Sequence, residues 1–300
     1  MEKVFLLLLP LLVTSSPLLK DSMPAVTEEM VAQVNREARW TASMDFVRDM
    51  TVRDAKRKLG TLYKAPDLPA KRLHALEQYL DAPSSFNTTE FWPECMGEIR
   101  NQGECGAGWA FAIAATLADR ICISTNAALQ VVLSPQYLVS CSPAVNSGCG
   151  GGYIDYSWYL VSQVGLPEET CVPYVSGDND ESGVCSNASC ATYYKATNLV
   201  WVQSPIAMQA ALLSAGPIMT QFYVFQDFLS YKSGIYSHTT GDFVGTHSVK
   251  IIGWGTSPEG VSYWIAANSW GTDWGMEGYF YIQFGQCDFE VGAISGDFAQ

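Results

Sequence analysis

Nine cysteines, all between Cys95 and Cys287, constrain this chain of 300 residues more than any other feature. They include no C-x2-C pair, and the three histidines, His74, His238 and His247, are scattered, so a metal framework is not expected. Their meaning depends on where the chain goes. It opens MEKVFLLLLPLLVTSS, with Lys3, an apolar run from Val4 to Val13 and then small polar residues. That is the pattern of a secretory signal peptide over residues 1–16. Its apolar run is well short of the roughly 20 residues a bilayer crossing needs. No later segment has such a run free of charge, so the expectation is a soluble protein without a membrane span. It would lie in the secretory pathway, outside the cell or in lysosome- or vacuole-like vesicles. Cysteines pair in such oxidising compartments, and an odd count leaves one thiol over. The 48% hydrophobic content and 25 glycines fit a large core or two lobes and exclude a disordered chain.

Charge divides the chain. Of 17 basic residues 12 lie in residues 1–82, whereas 19 of the 30 acidic residues lie in residues 83–300. The net charge of −13 therefore belongs to the later part, which excludes nucleic acid as a natural partner. A weakly basic N-terminal segment facing an acidic body is set up for mutual attraction.

Residues from about 25 to 60 carry helical patterns. In VTEEMVAQVNREARW, Thr27 is placed as an N-cap with Met30, Val31 and Val34 on one face. VRDMTVRDAKRKLG is amphipathic, with Gly60 as its expected stop. The proline-bearing stretch 65–86 predicts an extended, cleavable connection. After residue 83, WAFAIAATLADRICI predicts a helix with Trp109, Ile113, Leu117 and Ile121 four residues apart. Ser134-Pro135 opens a second helix, and residues 205–213 form a short third. From Gly216 the text turns to strands broken by glycine: PIMTQFYV, HSVKIIGWG, YWIAANSWG and GYFYIQF. Two sequons, at Asn87 and Asn187, are candidate glycosylation sites.

Five segments then converge: QGECGAGWAF (102–111), DRICIST (119–125), GCGGGY (148–153), GTHSVKIIGWG (245–255) and YWIAANSWGTDWG (263–275). In this order they resemble the papain family of cysteine peptidases, the cathepsin B branch above all. The resemblance implies an α+β, papain-like two-lobed fold. Its left lobe would be helical (mainly 95–195) and its right lobe β-barrel-like (mainly 196–300), with the active-site cleft between them. Residues 83–300 would form the peptidase domain, and 17–82 a helical propeptide lying over the cleft.

The chemistry such a site needs is a thiolate beside a histidine at a helix N-terminus. The thiolate attacks a peptide carbonyl, and the imidazole protonates the leaving amine. By the resemblance, Gln102 is the oxyanion donor, His247 the base and Asn268 the residue orienting the imidazole. Trp270 would shield that contact, and Gly151 and Gly152 would pair with an extended substrate. The nucleophile's place, immediately before Trp109, holds Gly108. Glycine has nothing to ionise, and Cys105 is assigned by the resemblance to a disulfide. The implied bridges are Cys95–Cys122, Cys105–Cys149, Cys141–Cys185 and Cys171–Cys190, leaving Cys287 as a free thiol. The loop from Pro173 to Cys185 (PYVSGDNDESGVC) is short, acidic and without histidine, unlike the occluding loop of cathepsin B. Gly292 takes the place of an acidic S2-pocket residue.

Three functions remain open on these residues. The first is a catalytically inactive pseudoprotease whose cleft binds peptides, protein partners, its own propeptide or protease inhibitors. The second is an active secreted or lysosomal cysteine endopeptidase, if Gly108 is a sequence error. The third is a structural or adhesive secreted protein. None needs a cofactor or metal, and a monomer is expected. Glycine is tolerated at a helix start, and the missing thiol would face an open cleft, so the fold is expected to survive the loss.

Overall fold

A computed structural model describes residues 19–62, 71–72, 82–142, 146–185 and 189–299. The signal-peptide stretch, most of the expected connection and Asn187 lie outside the described residues.

The N-terminal segment begins with helix α1 (Glu28–Glu37), whose N-cap Thr27 accepts a hydrogen bond from Met30 N, as its sequence requires. The helical pattern read through Trp40 stops short of it, because Trp40–Ala42 is strand β1, pairing with Tyr231–Gly234. Helix α2 (Val52–Arg57) starts on a capping box formed by Thr51 and Asp54. Short β2 (Lys71–Arg72), β3 (Phe86–Asn87) and α3 (Thr88–Phe91) lead into the main body. The α3 N-cap is Asn87, whose Oδ1 accepts from Thr89 N and Thr89 Oγ1.

Helix α4 (Gly108–Ser124) is the axis of the molecule. Trp109, Ile113, Leu117 and Ile121 are wholly buried, and Ala110, Ala112 and Ala114 let neighbours approach closely. It packs on α5 (Pro135–Cys141), begun by Ser134 as expected, and on α6 (Ile154–Val164). Then come β4 (Ala196–Trp201), α7 (Pro205–Ala215), β5 (Ile218–Phe225), α8 (Gln226–Leu229) and β6 (Tyr231–Tyr236). The chain ends with β7 (Phe243–Thr256), β8 (Ser262–Ala267), β9 (Tyr279–Gln283) and β10 (Ile294–Phe298).

The strands form one sheet in the order β1-β6-β9-β8-β7-β5-β10-β4-β2, with β3 on β7. Its two ends do not meet, so among the described residues the sheet is open. The expected barrel-like right lobe is corrected to an open, mostly antiparallel sheet. The two edges are taken up by β1 and β2, which pair outward from β6 and β4 and leave no partner for closure.

Two hydrophobic cores lie on either side of α4 and β7. One is helical, built on α4, α5 and α6. The other fills the sheet side and includes Val34, Trp40, Val47 and Ala55 of the N-terminal segment. Polar groups on α4 tie the seam. Asp119 is ion-paired with Lys250 on β7, and Arg120 donates to Pro217 O at 2.6 Å and to Asp297 at 2.9 Å. Both buried charges are thus paired, as low-dielectric surroundings demand. The four disulfides Cys95–Cys122, Cys105–Cys149, Cys141–Cys185 and Cys171–Cys190 are formed, and Cys287 is free.

Candidate active site

The site lies on the seam between the two cores. Gly108 begins α4, and the burial of that helix on both sides fixes its N-terminus there. His247 sits on β7 opposite Phe222 of β5, and the turn after β8 carries Asn268, Ser269 and Trp270. His247, Gln102, Asn268 and Trp270 are all buried.

His247 Nε2 lies 2.8 Å from Asn268 Oδ1. That oxygen also accepts from Ser269 N at 2.8 Å, which identifies it as the amide oxygen. An acceptor there requires His247 Nε2 to carry the proton, so Nδ1 holds a bare lone pair. Nδ1 is buried without a hydrogen-bond partner. The Trp270 ring stacks on the imidazole at 4.8 Å between centroids. Burial lowers the pKa of His247 to about 4; Asn268 opposes the shift and the Lys58 charge adds to it. A neutral imidazole is the form this site holds.

Gln102 is locked from every side. Its N–H donates to Ser269 O at 2.8 Å, and its Oε1 accepts from Ser269 Oγ at 2.7 Å. Its Nε2 donates to Cys105 O at 2.8 Å and to Lys58 O at 2.9 Å. An amide proton is therefore already aimed at a carbonyl oxygen in the cleft, the geometry an oxyanion donor uses. Ser269 was not singled out in the sequence, although it sits inside the conspicuous NSWG run; only the fold puts its hydroxyl on Gln102.

Gly108 departs from expectation. The vacant nucleophile position was expected to face an open cleft. A Cβ built there would instead meet His247 Cε1 at 2.3 Å, His247 Nδ1 at 2.5 Å and Gln102 Oε1 at 3.2 Å. Real Cβ contacts are rarely below about 3.4 Å. The His247 imidazole therefore lies in the space that a side chain at position 108 would occupy.

Residues Lys58–Leu62 of the N-terminal segment run through the same cleft. Gly152 N donates to Gly60 O at 2.8 Å, and Leu62 N donates to Gly152 O at 3.0 Å. Gly152 thus pairs through its backbone with the extended segment Gly60–Leu62 of the same chain. Gly151 has φ of 120°, and a Cβ there would meet Gly60 O at 2.4 Å. Thr61 N donates to Thr246 O at 3.3 Å, and Thr61 Oγ1 bonds Ser248 Oγ at 2.8 Å. Gly60 is pressed on the backbone: a Cβ there would lie 1.8 Å from Gly106 O. This close approach, more than a helix stop, explains the glycine.

The remaining candidates lie outside this centre. Gly292 packs on Gln221, so no acid stands at that wall. Cys287 is half-buried, and burial, reinforced by Asp227, pushes its thiol up to about 12. Such a thiol is a poor nucleophile. Among the described residues no cluster of His, Cys, Asp and Glu could hold a metal, and no helix is long and apolar enough to cross a membrane.

Comparison with known proteins agrees with the geometry. The profile described as papain family cysteine protease matches residues 82–296. Cathepsin B-like CP3 of Giardia intestinalis is 40% identical over 72% of this chain and 75% of its own length. Cathepsin B-like cysteine proteinase 4 of Caenorhabditis elegans is 32% identical over 97% of this chain and 98% of that protein. Among solved structures, procathepsin B S9 of Trypanosoma congolense superposes with a TM-score of 0.83 at 31% identity, covering 92% of this chain and all of that one.

Proposed function

The chain belongs to the papain family of cysteine proteases as a cathepsin B-like homologue, and from that premise we propose that it is a pseudoprotease: a peptide-binding cleft without thiol chemistry. The observation that carries the reading is Gly108 at the head of α4, with His247 lying in the space its side chain would need. Cys105, the nearest thiol in sequence, is bonded to Cys149, and Cys287 is poorly ionised. In triad hydrolases lacking their nucleophile, only about 10³–10⁴-fold over water remains, supplied by the oxyanion donors and binding.

Residues 1–16 are proposed as a signal peptide, 17–82 as the propeptide and 83–300 as the peptidase domain, in a secreted or vesicular protein. Lacking a thiolate, the protein does not remove its own propeptide; another protease does, or the segment stays in the cleft. The contacts of Lys58–Leu62 with Gln102 and Gly152 support a cleft that still holds a peptide backbone.

The test treats the full chain and its Gly108→Cys variant with an active relative, then follows cleavage of a fluorogenic dipeptide. The expected result is no turnover by the unmodified protein and measurable turnover by the variant. Activity of the unmodified protein that survives thorough purification refutes the proposal.

A further inference from the structure

We propose that a cavity along the middle of α4 is a second binding site, and that it takes a small organic cation with an apolar body and a hydrogen-bond acceptor at its far end. The inference is independent of the function proposed for the cleft.

The cavity has a volume of about 550 Å³ and lies between α4 and the segments 94–100 and 130–133. Gly108, His247, Gly151 and Gly152 take no part in its wall. Small-molecule sites fall in this size range and combine an apolar lining with a few polar groups. The space exists because α4 presents Ala114, Ala115 and Ala118 here, where longer side chains would fill it. Its walls are tied to one another. Disulfide Cys95–Cys122 joins the first segment to α4, and Gly97 N donates to Asp119 Oδ1 at 3.1 Å. Arg100 crosses to the other segment, with Nη1 donating to Leu133 O at 3.4 Å. The cavity is therefore preformed, and a ligand need not order its walls.

Charge in the wall specifies one end of the ligand. Arg100 is taken up by Glu169 at 2.6 Å and stands 4.9 Å from the centre of the Phe111 ring. Asp119 is ion-paired with Lys250. Glu94 and Glu98 remain, both exposed at the mouth, and among the described residues neither side chain makes an ion pair or a hydrogen bond. Two unpaired carboxylates at the mouth of an apolar lining favour an ammonium group on an apolar body.

The inner end specifies the other. Through the shared wall residues Gly97, Phe111 and Ala115 the cavity continues into a chamber of about 30 Å³, whose far side includes Ser248 and Asn268. Asn268 is 4% exposed, and its Oδ1 is taken by His247 and Ser269. Its Nδ2 is buried with no hydrogen-bond partner. A buried donor is costly until an acceptor reaches it. A chamber of this size admits only a group about as small as water, so the acceptor is a slim one, such as a nitrile or carbonyl.

The test titrates the full chain, whose cleft is covered by Lys58–Leu62, with para-cyanophenethylamine and follows binding by saturation-transfer NMR. A Kd on the order of 1 mM is expected for so small a ligand. The N-acetyl derivative, which lacks the charge, should bind more weakly. Phenethylamine, which lacks the nitrile, should be weaker by roughly 2- to 13-fold. Glu94→Gln and Glu98→Gln should each weaken the amine by roughly 1.4- to 5-fold and leave the acetylated form unchanged. Ala118→Phe should abolish binding of all three. The glutamine variants alter exposed side chains only, so they decide the question even if the phenylalanine variant does not fold. Equal binding of the amine and its acetylated form, or indifference of the amine to both glutamine exchanges, overturns the proposal. Binding that survives Ala118→Phe in a folded protein, or no binding at about 10 mM amine, does the same. Equal binding of phenethylamine and the nitrile overturns the contact with Asn268.

Discussion

Replacing Gly108 with alanine tests whether the His247 imidazole occupies the space of a side chain at that position. On a roomy helical position the exchange gains up to about 1 kcal/mol, because alanine restricts the unfolded chain and favours the helix. Here the new Cβ lands 2.3 Å from His247 Cε1 and 2.5 Å from Nδ1, so the ring must retreat by about 1 Å to reach ordinary contact. It has little freedom to do so. It is wholly buried, stacked at 4.8 Å on Trp270 and bonded at 2.8 Å to Asn268. Overpacking of this kind costs about 1–3 kcal/mol, so against a helical gain of about 1 kcal/mol the net loss reaches roughly 2 kcal/mol. That corresponds to a melting temperature lower by up to about 8 °C. Calorimetry of the full chain measures it, and a double-mutant cycle assigns the cause. With His247→Ala in the background the clash partner is gone, and Gly108→Ala should become neutral or stabilising. If alanine stabilises the protein equally with and without His247, the imidazole does not occupy that space and the argument fails.

Further consequences follow from the same geometry. His247 titrates near 4 when folded against about 6.5 when unfolded, so its contribution is fully present above pH 6.5 and is lost as pH falls through 4. The unfolded chain binds the extra proton, and the loss amounts to about 3 kcal/mol; urea unfolding at pH 7 and pH 4.5 should show it, and His247→Gln should flatten that part of the profile. Gly60→Ala puts a Cβ 1.8 Å from Gly106 O and should lift Lys58–Leu62 from the cleft. With the three bonds to Gln102 and Gly152 lost at about 0.5–1.5 kcal/mol each, the segment should open at least about 10-fold more often, and limited proteolysis of the full chain within it should speed accordingly. Cys287, with its thiol pushed up to about 12, should react with iodoacetamide at pH 8 on the order of 10³-fold more slowly than after unfolding; rapid labelling of the native protein would contradict the assigned environment.

That the candidate residues lie together was legible in the sequence, for chemical reasons. Gln102, Gly108, His247, Asn268 and Trp270 each sit in a run of small and aromatic residues whose spacing matches a known constellation, and the chain places His247, Asn268, Trp270 and Gln102 around Gly108. Local signals also held where the physics is local: Thr27 and Ser134 cap helices because their oxygens reach an N–H two or three residues on. They failed where partners are distant. Trp40 reads as the end of a helix but is a strand residue, because its backbone pairs with Gly234, nearly two hundred positions away. The open edge of the sheet was equally invisible, since alternation along a strand says nothing about whether the first and last strands meet.

By itself, then, the sequence determined the papain-family motifs and their order, and it put a residue without a side chain at position 108, which is a covalent fact. Only the tertiary structure decided what became of the gap. Interiors are close-packed, and the imidazole of His247 lies against Gly108 where a side chain would stand. The fold alone also brought Arg57–Leu62 against Asp180, Gln102 and Gly152, through charge and hydrogen bonds between residues that are neighbours in space but far apart along the chain.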